Sequence, residues 1–344
     1  MDLTIFLALL QDGLVYGSIY AILAMAIILV FSVTRIVLFF GGELIVFSSL
    51  TMTALLSGST PRILLLLGAI CVLTAVHSVF RIRPLTVRGA LVILARELGY
   101  PAAICVAGVV LAPLRMGPLA CALLTLAIVI PLGPAIYRLA FRPIAQSSVL
   151  TLMMAAMGAH LVLTGAGLYV FGSDGVRTPA YLSGGVNLFG QAVPWQSILV
   201  VVVSLAILVG LWFFSTRTRQ GKALRASAMN PRGARLMGIS TDASGQAAFA
   251  LAAAICAAAG ILLAPLSTIY YDSGFIIGLK GFVAAIFGGL AYYPTALVVS
   301  IFVGLTEGFA SFWASTFKEV IVFTLILPAL FWISARALHS EEHA

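Results

Sequence analysis

The stretch STRTRQGKALRASAMNPRGARLMGI, Ser215 to Ile239, carries Arg217, Arg219, Lys222, Arg225, Arg232 and Arg235, and meets no acid until Asp242. An apolar run from Ile198 to Phe214 precedes it and another from Ala247 to Leu266 follows it. Each run approaches the roughly 20 residues that cross the hydrocarbon of a bilayer. A basic island between two such runs joins the ends of two membrane helices, and by the positive-inside tendency it belongs in the cytoplasm.

The rest of the chain agrees. Of 344 residues, 62% are hydrophobic and 9% charged, and the mean hydropathy is +1.15. A charge at the bilayer centre costs about 2.5 to 3.5 kcal/mol on insertion scales, so a many-span chain moves its charges into loops. The net charge of +8 is therefore read as topology and contact with anionic membrane lipid, not as a nucleic-acid surface. No aromatic residue interleaves the island.

Eleven apolar runs are candidate spans: Leu3 to Phe31, Ile36 to Leu56, Ile63 to Phe80, Pro101 to Leu114, Pro118 to Tyr137, Val149 to Phe171, Trp195 to Phe214, Ala247 to Leu266, Gly278 to Leu290, Pro294 to Ala314 and Val320 to Ser334. Pro101 to Leu114 and Gly278 to Leu290 are short for a crossing and read as broken or re-entrant helices. The expected fold is an all-α polytopic membrane protein of about 8 to 11 transmembrane or re-entrant helices, a single domain over residues 1–344. The N-terminal run opens with Asp2 and lacks the basic region of a cleavable signal.

Charge sorting orders the spans. With the island in the cytoplasm, two crossings back put Arg138 and Arg142 there as well, and Gly172 to Pro194, which holds Asp174 and Arg177, becomes an external loop. Arg81, Arg83, Arg88 and Arg96 form another cytoplasmic cluster, and four crossings after the island return Arg336 to that side. The side of the N-terminus stays open.

Cys71, Cys105, Cys121 and Cys256 lie inside apolar runs and read as buried thiols. His77 and His160 are isolated within spans, His339 and His343 sit in the tail, and no metal-ligand spacing, phosphate-binding loop or Ser/His/Asp set occurs. No catalytic residues, metal site or cofactor are expected, which leaves transport, signalling or scaffolding. Glycine spacing favours movement: Gly13 and Gly17, Gly274 and Gly278, and Gly304 and Gly308 are pairs that let helix backbones approach. Glu43, Lys280 and Glu307 are the charged residues set deepest in glycine-rich runs, and with His160 they are candidates to line a path or to form structural pairs. Tyr270 and Tyr271, before Gly278, fall in an external connection.

Within the island, Asn230 and Pro231 read as a helix N-cap with proline at the first position, and Gly238 as its stop. Gly221 to Ser227 reads as a second short helix. On the residues alone, a knob for a cytoplasmic partner and a basic loop on anionic lipid are equally good readings.

The run Gly221, Lys222, Ala223, Leu224, Arg225, Ala226, Ser227, Ala228, followed by Asn230, Pro231, Ala234, Leu236, Gly238 and Ile239, resembles the coupling loop of ABC importer permeases of the branched-chain amino acid family. So do Ala257 to Pro265, Gly278 to Gly289, and Gly304, Glu307 and Gly308, in the same order, with Gly17, Tyr20, Ala21, Gly42, Glu43 and Leu44 near the start and Phe141, Arg142 and Pro143 in the middle. The resemblance implies an importer permease of the bacterial inner membrane, carrying branched-chain amino acids or related small solutes. It implies cytoplasmic ATP-binding subunits docked on residues 215–244, a second permease, similar or identical, and a periplasmic solute-binding protein. Arg217, Arg219, Lys222, Arg225, Asn230, Pro231, Arg232, Arg235 and Gly238 would be the coupling residues, and Asp174, Tyr270 and Tyr271 would meet the binding protein. Two departures stand out. Leu38, Phe40 and Gly41 replace polar residues that the family carries before its Gly-Glu, and residues 61–116 match poorly and read as an added hairpin or interfacial segment. An ion-coupled carrier or channel is the alternative, disfavoured by the scarcity of intramembrane acids.

Overall fold

A computed structural model describes residues 3–81, 87–114, 116–188, 191–290 and 293–324, with 328 and 331. The helices are α1 (Leu3–Thr34), α2 (Gly41–Leu56), α3 (Ile63–Arg81), α4 (Val87–Leu111), α5 (Pro118–Val129), α6 (Leu132–Ile136), α7 (Val149–Phe171), α8 (Trp195–Arg217), α9 (Arg219–Met229), α10 (Pro231–Leu236), α11 (Thr241–Leu263), α12 (Ser273–Phe287), α13 (Tyr293–Trp313) and α14 (Lys318–Thr324). Six apolar passages among the described residues are long enough to cross a membrane, and four shorter apolar helices accompany them. The external loop of the sequence reading holds a small antiparallel hairpin, β1 (Gly185–Leu188) with β2 (Gln191–Pro194). The alternation of Val186 and Leu188 with Gly185 and Asn187 suits a two-stranded ribbon.

Named contacts fix the two ends of the bundle. Arg142 pairs with Asp242 at 2.9 Å, and Ser227 meets Ser244 at 3.0 Å, so the 138–142 arginines and the island share the basic end. At the far end, Val176 and Ile269 bridge, and the Thr178 amide donates to the Ala264 carbonyl. Helix α1 joins these ends: Gln11 donates to Ser197 at the start of α8, whereas Ser32 and Val33 share a cavity with Ser215 and Arg225. Helix α1 therefore begins at the far end and finishes at the basic end. Arg83 and Arg336 and the side chains of Arg81, Arg88 and Arg96 lie outside the described residues, as does the remainder of the Val320 to Ser334 run after Thr324 apart from 328 and 331.

Three span readings need correction. Pro101 lies inside α4, a 25-residue helix, so Pro101 to Leu114 is only its second half; polar residues of the first half hid the rest. Gly278 to Leu290 belongs to α12, which starts five residues earlier at Ser273. Ile36 to Leu56 is not one helix. Arg35, at φ 62°, closes α1, residues 36–40 run non-helically, and α2 begins at Gly41 inside the bundle. At 16 residues, α2 reaches about 24 Å, short of the roughly 30 Å hydrocarbon. Irregular backbone survives at such depth only when protein covers it. Here Ile36, Val37, Leu38 and Phe40 are buried, Phe40 packs beside Phe141 and Phe249, and local bonds pair several of the backbone groups, among them Phe39 N–H to the Val37 carbonyl at 2.9 Å.

Close approach explains the glycine pairs. Gly13 and Gly17 on α1 face Gly304 and Gly308 on α13, the small-residue contact that lets transmembrane backbones meet. Gly42 faces the backbone of Gly274, so that a Cβ there has no room. The starts of α2 and α12, two half-length helices, thus touch inside the bundle. Ser48 and Ser49 on α2 donate to the Ala257 and Gly260 carbonyls of α11 at 2.6 and 2.7 Å, joining those two helices.

Candidate functional site

Three caps build the basic end. The Thr218 hydroxyl accepts from the Gly221 amide at 3.0 Å, Asn230 Oδ1 accepts from Gly233 at 2.9 Å, and Ser240 accepts from Ala243 at 3.2 Å. Each satisfies an orphan amide at the start of α9, α10 or α11. Gly238 takes φ +79° after α10, the left-handed stop that glycine adopts without strain. A helix of six residues has no stability of its own. Ala234 of α10 and Leu224 of α9 are buried against the bundle, and that packing holds the knob together.

The nine coupling candidates sort into three kinds. Asn230, Pro231 and Gly238 shape the knob. Arg225 donates to the Ser215 carbonyl at 2.6 Å and hydroxyl at 3.1 Å, and Arg235 donates to Thr241 at 3.0 Å, so these two brace it. Arg217, Arg219, Lys222 and Arg232 are exposed. Beside them Met229, Leu236 and Met237 are 83%, 89% and 82% exposed. An apolar tip ringed by charge is the anatomy of a docking surface.

Inside the bundle the four path candidates fall into two clusters. Glu43, in the first turn of α2, is fully buried. Its Oε1 lies 2.7 Å from Nδ1 of His160 at mid-α7, while its Oε2 has no partner. The His160 ring stacks on Phe275 at 4.7 Å, and Thr164 Oγ1 approaches Nδ1 at 3.5 Å. The second cluster spans four helices. Lys280 of α12 contacts Glu307 of α13 at 2.5 Å and Glu319 of α14 at 3.2 Å, and the Tyr20 hydroxyl of α1 donates to Glu307 at 2.6 Å. Sequence reasoning placed Tyr20 only in a signature and passed over Glu319, which reads as interfacial beside Lys318 and acquires its role through Lys280, 39 residues earlier in the chain.

At the far end Asp174 and Tyr270 are exposed on adjoining loops, with the Tyr270 ring against Gly175. Tyr271 is half-buried and turns its carbonyl toward Gly167. Arg177 ties the loops by donating to the Pro265 and Leu266 carbonyls. Tyr181 donates to the Ile261 carbonyl at 2.7 Å, and burial pushes its phenol above the ordinary value, so it stays a donor.

A family model described as the permease component of branched-chain amino acid transport systems matches residues 85–330. The chain is 32% identical over 206 residues to the high-affinity branched-chain amino acid transport system permease protein LivH of Escherichia coli K12, covering 58% of this chain and 67% of that one. To the corresponding permease protein BraD of Pseudomonas aeruginosa it is 30% identical over 205 residues, with the same shares. A probable branched-chain amino acid transport permease protein of Methanocaldococcus jannaschii is 30% identical over 188 residues, 52% of this chain and 58% of the relative. No solved structure matches. The span matched by the family model includes the knob, His160, Lys280, Glu307 and Glu319, and begins after Glu43.

Proposed function

The chain belongs to the branched-chain amino acid transport permease family, and on that premise we propose that it forms the membrane path of an ATP-driven importer for branched-chain amino acids or related small solutes in the bacterial inner membrane. It is a multi-pass membrane permease. ATP hydrolysis belongs to separate cytoplasmic subunits that grip residues 215–244, a second permease completes the path, and a periplasmic binding protein delivers cargo to the far end at Asp174, Tyr270 and Tyr271.

The observation that carries this reading is the knob. Its two short helices follow α8 and lead into α11 with a cap at every junction, so a pull on α9 and α10 moves α11 instead of being lost in slack chain. Helix α11 holds α2 through Ser48 and Ser49, and α2 carries Glu43, whose bond to His160 closes the bundle between α2 and α7. Closure of the ATP-binding subunits would draw on the knob, tilt α11 with α2, and part Glu43 from His160. That sequence is a shift between two packed arrangements of the bundle.

The test is leucine uptake into proteoliposomes containing the full chain with its ATP-binding subunits and binding protein. Arg219→Glu with Arg232→Glu reverses two outward charges and leaves the Arg225 and Arg235 braces in place. Cargo-stimulated ATP hydrolysis should fall about tenfold or more, as for charge reversal at an interface, with insertion unchanged. Undiminished coupling would remove the docking role. Uptake that needs no ATP and collapses with an uncoupler would select the ion-coupled carrier.

A further inference from the structure

A cavity of about 440 Å³ opens at the basic end between α1, α8, α9 and the first residue of α13. Its floor is hydrocarbon: Met25, Leu29, Leu211 and Leu224 line it and are nearly fully buried. Its mouth is polar, formed by Ser32, Ser215, Arg225 and Tyr293, with Arg217, Arg219 and Lys222 exposed on the neighbouring turns. The outer face of α8 leads into it: Val202, Leu205, Val209, Trp212 and Phe213 are all more than half exposed. This stripe is apolar from Val202 onward and ends in an aromatic pair beside the cationic mouth, the arrangement found where a membrane helix meets the headgroup layer.

We propose that this cavity is a binding site for one anionic phospholipid of the cytoplasmic leaflet, with an acyl chain on the Leu29 and Leu224 floor and the headgroup phosphate at Arg225 and Tyr293. A polar solute is unsuited to the floor, and an empty apolar cavity facing a bilayer fills with lipid tail, because tails are as apolar as the leucines that line it. The mouth chooses the headgroup. Basic pockets on the cytoplasmic side of membrane helices favour acidic lipids, and among the described residues no acid lines this one. The site lies under the coupling helix: Leu224 and Arg225 belong to α9, so a lipid held there makes the resting position of α9 depend on the composition of the membrane. The proposal stands apart from the transport reading, since it needs neither cargo nor ATP.

The test is native mass spectrometry of the purified full chain after exchange into mixed micelles of phosphatidylglycerol and phosphatidylcholine. One phosphatidylglycerol per chain should persist through activation that strips phosphatidylcholine. Leu29→Trp, which fills the floor, should lower retention about tenfold, a loss on the scale of a few buried methylenes. If that variant inserts poorly, Ser32→Trp at the half-buried mouth should give the same loss. Arg225→Gln should abolish the preference for phosphatidylglycerol, and Arg225→Lys should keep most of it. Equal retention of the two lipids by the unaltered chain, or undiminished retention in the tryptophan variants, would overturn the proposal, as would retention of a copurifying protein segment in the cavity in place of lipid.

Discussion

The Glu43–His160 pair and the Lys280 cluster both bury ionisable groups between helices, yet they are built oppositely. Lys280 answers to carboxylates from two helices, and Tyr20 of a third helix supports one of them. Glu43 meets side chains of one helix, α7, and leaves an oxygen idle. A buried charge is costly unless its partners compensate it; the Lys280 cluster ties α1, α12, α13 and α14 together, whereas Glu43 reaches across to α7 alone. The first is a staple and the second a latch.

Removing the staple should have the largest effect. Lys280→Met strands Glu307 without its cation and leaves Glu319 only Lys318, at 3.9 Å, and breaking a buried pair costs about 3 to 5 kcal/mol; thermal unfolding in detergent should show a large fall in midpoint or loss of folded protein. A midpoint near that of the unaltered chain would make the cluster ornamental. Glu43→Gln keeps the shape of the latch and removes its charge, so stability should drop by only about 1 to 3 kcal/mol, while uptake falls much further than the Lys280 variant's residual folded fraction explains. Equal losses of stability and uptake would erase the distinction between the two clusters. The smallest effect belongs to Thr53→Val, which deletes the 2.6 Å contact with Thr178 at the far end of α2. Interhelical hydrogen bonds in membranes average about 0.6 kcal/mol, and uptake should be nearly unchanged.

The sequence revealed these regions unequally. The knob was legible because its boundaries are local chemistry: Asn230 before Pro231 starts a helix, Gly238 stops one, and the structure places α10 between them. The glycine pairs were legible as spacing, but not their partners, since Gly13 and Gly304 meet only through the fold. The start of α2 was hidden because Ile36 to Phe40 is as apolar as any span, and hydropathy cannot distinguish a buried non-helical segment from a helix. The first half of α4 was hidden for the opposite reason, its helix carrying Arg88, Arg96 and Glu97 through a segment too polar to join the apolar run that begins at Pro101. Glu43 and His160 stood out singly as ionisable groups in apolar runs, while their pairing across 117 positions is a property of topology alone. The substitution of Leu38, Phe40 and Gly41 for polar residues has a structural counterpart: Leu38 and Phe40 cover the break before α2.

The orientation of the knob is the claim on which coupling, latch and delivery all rest, and cysteine labelling from each side of the membrane measures it directly. In right-side-out vesicles an impermeant maleimide should label Asp174→Cys and spare Met237→Cys; in inverted vesicles the pattern should reverse, and bound ATP-binding subunits should protect Met237→Cys. Labelling of Met237→Cys from the outside would place the knob beyond the reach of any ATP-driven partner and contradict the account.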